Sequence, residues 1–94
     1  MMSNIPINLE KIKKEEIDRE ILRVGMIAEL DAVNLYEQMA AYAQDENLKR
    51  VLLDIAKEEK THIGEFQALL LQRDKEQEEE LKKGKKEVEE IAKK

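Results

Sequence analysis

Seven residues between Leu48 and Leu69 follow one another at steps of four, three, four, three, four and three: Leu48, Leu52, Ile55, Glu59, His62, Phe66 and Leu69. That rhythm is the inner stripe of an α-helix. Glu59 and His62 interrupt a seam that is otherwise apolar. A carboxylate and an imidazole held away from water are costly unless each has a partner. An earlier stretch has the same spacing, through Leu22, Met26, Glu29, Val33, Tyr36 and Ala40. There too a single carboxylate, Glu29, breaks an apolar row, and Tyr36 stands two turns further on.

The chain is 41% charged and 41% hydrophobic, with three glycines and one proline, and such a mixture points to long helices rather than sheets. One domain is expected over residues 1–94. Residues 1–9 form a flexible arm, in which Pro6 opposes helix. A first helix covers residues 10–44, starting near Glu10 or after the Lys13-Lys14 pair, and its one weak point, Gly25, marks a close helix contact. Asp45-Glu46-Asn47 makes a short turn whose acids suit the start of a second helix over 46–73. Asp74 reads as the N-cap of a charged third helix or linker over 75–92, interrupted at Gly84. Apart from Glu29, Glu59 and His62, the acids of the long helices, among them Asp31, Glu37, Glu58 and Glu65, are expected on solvated faces.

Two helices of nearly 30 residues joined by a few residues must lie antiparallel as a hairpin. A lone hairpin has nothing to cover its inner face, and a chain this short buries only about 60–65% of its unfolded surface. Pairing two hairpins into a four-helix bundle is the simplest way to bury both stripes. The fold class is therefore all-α: a long antiparallel two-helix hairpin plus a short C-terminal helix, dimerising into a four-helix bundle. Each hairpin would bring Glu29 from one helix and Glu59 with His62, three apart on one face, from the other. Di-metal carboxylate bundles use a Glu from each of two helices and a Glu-x-x-His from each of the other two. This chain carries half of that set, and a two-fold axis would complete it. Carboxylates with a few imidazoles suit iron or manganese, whereas zinc favours more His or Cys.

The segments AELDAVNLYEQMA and LLDIAKEEKTHIGEF resemble the ferritin-like/rubrerythrin superfamily. Their single-hairpin length is most similar to that of the encapsulated ferritins, half-sized ferroxidases carried inside encapsulin shells. The resemblance implies two irons per dimer at the subunit interface, oxidation of Fe(II) by dioxygen or peroxide, and iron storage or detoxification within a shell. It implies Glu29 as a terminal ligand, Glu59 as a bridging ligand, His62 as the imidazole ligand and Tyr36 as a neighbouring tyrosine. It further implies a homo-oligomer, a dimer at least and an annular decamer in the family's typical form. Ala28 precedes Glu29 and Asp31 follows, so at most part of an outer metal-entry site is expected. Glu87 to Lys94 does not resemble a shell-docking peptide, which leaves the encapsulin partner in cis by fusion or in trans.

Two other functions compete. One is a rubrerythrin-like peroxide reductase on the same bundle, which would need a separate electron donor because there is no cysteine. The other is a metal-free helical dimeric adaptor in which Glu29, Glu59 and His62 form a buried polar network. The absence of cysteine also excludes disulfides and thiolate sites. The net charge of −5 is spread over 22 acidic and 17 basic residues without a basic patch, so no nucleic-acid partner is expected. No signal peptide or 18-residue apolar run is present, which predicts no membrane association and a cytoplasmic location, within an encapsulin compartment.

Overall fold

Two aspartates set the joints of the molecule. In the computed structural model, which describes residues 8–93, Asp45 Oδ1 accepts hydrogen bonds from the backbone N–H groups of Asn47, at 2.7 Å, and Leu48, at 3.3 Å. These are orphan donors of a helix start, and a short acidic side chain in extended backbone satisfies them. The helix so capped, α2, runs Glu46–Arg73 and follows α1, Ile17–Tyr42. Ala43 is extended, so α1 stops one turn before its partner begins and the two return antiparallel. The turn is thus centred on Ala43 to Asp45, and Glu46 and Asn47 already belong to α2.

The second joint is Asp74, the single residue between α2 and α3, Lys75–Ala92. Its Oδ1 accepts from Gln77 N–H at 3.0 Å, and its Oδ2 accepts from the Arg23 guanidinium of α1 at 2.8 Å. The backbone N–H of Gln77 holds the Asp74 carboxyl below the usual carboxylate range; partial burial opposes this, and Arg23 adds to it. A carboxylate whose folded pKa is depressed contributes stability above its unfolded pKa and loses it as the pH falls through the folded value. The anchoring of α3 should therefore weaken only below about pH 4. Circular dichroism is expected to show a helicity loss there in the wild type. Asp74→Asn, which can still cap but does not titrate, should lack that step. An identical acid profile in both proteins would show that Asp74 does not anchor α3 through its charge.

Two boundaries differ from those expected. Residues 9–16 do not extend α1: Leu9–Lys11 and Lys14–Glu16 form separate 3₁₀ turns, with Lys13 extended between them. Lys13 and Lys14 oppose the positive end of a helix dipole, and Glu16 makes no side-chain cap, so nothing favours an earlier start. Gly84 does not interrupt α3, which is continuous across it. A single exposed glycine costs a helix only about 1 kcal/mol, and the Glu78–Lys82 pair spans the turn before it. Of the expected arm at 1–9, residues 1–7 lie outside the described residues.

The buried apolar residues are few: Leu22, Val33 and Ala40 on α1, Ala56 and Leu70 on α2. They join the two helices along one seam. Lys60 and Glu37, at 2.9 Å, and Arg73 and Asp18, at 3.8 Å, pair across its exposed flanks. Such pairs contribute little energy individually and chiefly favour one register. The first turns of α3 rest on the hairpin, where Arg23, Met26, Ile27, Leu30 and Leu70 form a groove with Leu81. From Glu79 to Lys93 every residue is exposed, and the molecule measures 46 × 46 × 20 Å because α3 leaves the hairpin rather than lying along it. Leu48, Val51 and Leu69 on α2, with Ile21 and Met39 on α1, remain exposed in the single chain. No described helix is long and apolar enough to cross a membrane.

Candidate metal centre

Glu29 lies midway along α1; Glu59 and His62 lie one turn apart on α2. The antiparallel register brings α1 residue 29 level with α2 residue 62, and the three side chains meet. One ligand atom from each falls within 4.8 Å of the other two. His62 Nδ1 is 3.6 Å from Glu29 Oε2 and 3.5 Å from Glu59 Oε2. These separations are too long for good hydrogen bonds. They do match the spacing of donors around one ion, since ligands about 2.1 Å from a metal sit roughly 3–4 Å apart.

The burial is uneven in an informative way. The side chains of Glu29 and Glu59 are 20% and 19% exposed, whereas His62 is 44% exposed. The carboxylates are thus drawn into the hairpin and the imidazole stands at its open face. Glu29 Oε2 is buried and has no hydrogen-bond partner. An unsatisfied buried acceptor costs on the order of 1–3 kcal/mol, and more when charged. Beside a second carboxylate, the chemistry that would satisfy it is a cation. The donor set of two hard carboxylates and one imidazole fits iron or manganese better than zinc.

Glu58, the other acid of the Glu58-Glu59 pair, is exposed on the wet face with Thr61 and Glu65. The stripe periodicity distinguishes the two because 100° of helical rotation separates neighbours. Tyr36 is half-buried, but no hydrogen bond joins its hydroxyl to Glu29, Glu59 or His62. Asp31, expected on a solvated face, is instead buried, only 8% exposed and not without a partner. It lies off the Leu22–Val33–Ala40 stripe, so helical periodicity contained no signal for its burial. The Lys60–Glu37 pair beside the site is another contact that sequence spacing could not reveal, since it joins different helices.

An all-α hairpin with a Glu on one helix and a Glu-x-x-His on the other has the pattern of ferritin-like carboxylate bundles. Residues 5–86 match the EncFtn-like family, and the chain belongs to that family. It is similar to a ferritin-like-encapsulin shell fusion protein of Pyrococcus furiosus, with 59% identity over 85 residues. That alignment covers 90% of this chain and 25% of the relative, so the chain spans a quarter of that protein's length. It also resembles the crystal structure of an encapsulated ferritin domain from Pyrococcus furiosus, with 56% identity and a TM-score of 0.82. The match covers 97% of this chain and 95% of that one.

Proposed function

We propose that the chain is a ferroxidase domain that binds Fe(II) between two copies of itself and oxidises it to Fe(III). The observation that carries this reading is the buried Glu29 Oε2, which has no hydrogen-bond partner and lies within reach of Glu59 and His62. Three donors leave an ion undersaturated, and His62 opens towards the uncovered apolar face. A two-fold-related hairpin would bring three more donors and cover Leu48, Val51 and Leu69 together. Four carboxylates from the pair would balance the charge of two divalent ions.

The two Fe(II) ions are the substrate. Each gives up one electron, and the pair reduces dioxygen to hydrogen peroxide with uptake of two protons, or hydrogen peroxide to two waters, again with two protons. Glu29 and Glu59 supply the anionic donors that favour the higher charge of Fe(III). His62 supplies a neutral donor and the outward position from which a second hairpin can close the site. The relative's fusion to an encapsulin shell protein supports a setting inside such a shell, where the ferric product would be stored.

The test is aerobic oxidation of Fe(II) with dioxygen and peroxide consumption followed in parallel. The wild type should oxidise Fe(II) with dioxygen well above the rate in buffer, and His62→Ala should fall to that background. Peroxide consumed far faster than dioxygen would favour peroxide reduction instead. No protein-dependent oxidation, or unchanged oxidation by His62→Ala, would refute the proposal.

A further inference from the structure

Gly25 is the only one of the three glycines crowded by another residue. A methyl group there would lie 3.2 Å from Cε2 and Cζ of Phe66 and 3.3 Å from Cδ2, whereas Gly64 and Gly84 have nothing within 4 Å. Glycine costs a helix interior about 1 kcal/mol relative to alanine, so a mid-helix glycine against an aromatic ring points to a packing requirement. The location of this contact matters more than its tightness. Gly25 is four residues before Glu29 on α1, and Phe66 is four residues after His62 on α2. The Gly25–Phe66 contact is therefore the rung next to the Glu29–His62 rung, about 6 Å along the helices.

We infer that Gly25 and Phe66 are positioning residues that set the distance between α1 and α2 at the metal centre. This inference rests on the ferroxidase-site reading. Glu59 and His62 share a helix, so their 3.5 Å separation does not depend on helix spacing. Glu29 is on the other helix, and its 3.6 Å approach to His62 does depend on it. A phenyl ring seated on a bare Cα lets the helices come close enough for all three donors to reach one ion. A methyl group at position 25 would force the ring or the helix to give by a few tenths of an ångström. Metal–ligand bonds tolerate deviations of only about 0.2 Å. The donor that loses its place is Glu29.

Anaerobic titration of the full chain with Co(II), followed by visible absorption, reads both affinity and ligand geometry. Gly25→Ala should remain helical and bind Co(II) about tenfold more weakly, the size of effect seen when groups supporting a metal ligand are disturbed. Its absorption bands should also change. Gly25→Ala/Phe66→Leu, which makes room for the methyl group, should regain affinity and spectrum. Gly64→Ala, two residues from His62 but with no neighbour to crowd, should match the wild type. Wild-type affinity and bands in Gly25→Ala, or no recovery in the double variant, would overturn the inference while leaving the site intact. A wild type that takes up no Co(II) would instead overturn the site reading, and this inference with it.

Discussion

Glu59→Ala is expected to weaken Fe(II) binding by more than about a hundredfold, beyond the range for groups that merely support ligands. Glu58→Ala, one residue away, should leave binding within about threefold, as for a solvated surface group. The contrast follows from the 100° of rotation between neighbouring helical positions: Glu59 joins Glu29 and His62, and Glu58 faces water with Thr61. Stability carries a second signature. Without metal, removing Glu59 relieves repulsion with Glu29, so the apo variant should melt no lower than the wild type. A ligand that binds only the folded state stabilises it by RT ln(1 + [L]/Kd), and the Fe(II)-dependent rise in Tm should vanish in Glu59→Ala. If apo Glu59→Ala is markedly less stable and Fe(II) has no effect on either protein, the cluster is a structural polar network. Equal losses in Glu58→Ala and Glu59→Ala would show that the stripe has been assigned to the wrong residue.

The second large effect concerns the uncovered face. Leu69 follows His62 by seven residues, and Val51 lies on the same side of α2; both are about half exposed in the single chain. If a two-fold partner covers them, Val51→Asp or Leu69→Asp enters the interface twice. Each lost apolar side chain forfeits about 1.5–3 kcal/mol, and each carboxylate placed there adds a desolvation cost. At about 1.4 kcal/mol per tenfold, the dimer dissociation constant should rise by at least about a hundredfold. The helical signal of the separated hairpin should persist, because neither side chain belongs to the seam of Leu22, Val33, Ala40, Ala56 and Leu70. Sedimentation velocity checks the first point and circular dichroism the second. An unchanged association state in both variants would place the partner elsewhere.

The hairpin and the meeting of Glu29, Glu59 and His62 were legible because both are written in periodicity. Leu48, Leu52, Ile55, Glu59, His62, Phe66 and Leu69 fall at helical spacing, so the polar members of the stripe announced themselves as exceptions within an apolar row. The stripe did not mark what the hairpin buries: Leu48 and Leu69 stand about half exposed, and the buried residues of α2 are Ala56 and Leu70, each next to a stripe position. Asp74 was legible as a cap because a short acidic side chain before a helical run has one dominant use, whereas Asp45 was legible only as one of the turn acids that suit a helix start, and the structure makes it the cap of α2. What was not legible depended on competition or on tertiary contacts. The start of α1 was decided by weak opposing terms around Lys13 and Lys14, with no cap to settle it. Continuity through Gly84 turned on a penalty too small to break an 18-residue helix. Asp31 is buried off the stripe, and Tyr36 shares the stripe of Glu29 yet its hydroxyl makes no hydrogen bond to the cluster. Gly25 lay between these cases: its sequence position marked a close helix contact, and the structure supplied Phe66 as the neighbour.

If Glu29, Glu59 and His62 are half of a site that a second hairpin completes around iron, the mass of the protein must show it. Native mass spectrometry of the anaerobic protein with and without Fe(II) reads that mass. The expected species is a dimer, or a multiple of dimers, carrying two iron ions for each pair of chains, with the iron absent from His62→Ala. A single chain that stays monomeric and takes up no iron, or one that binds iron equally well with His62 removed, would contradict it.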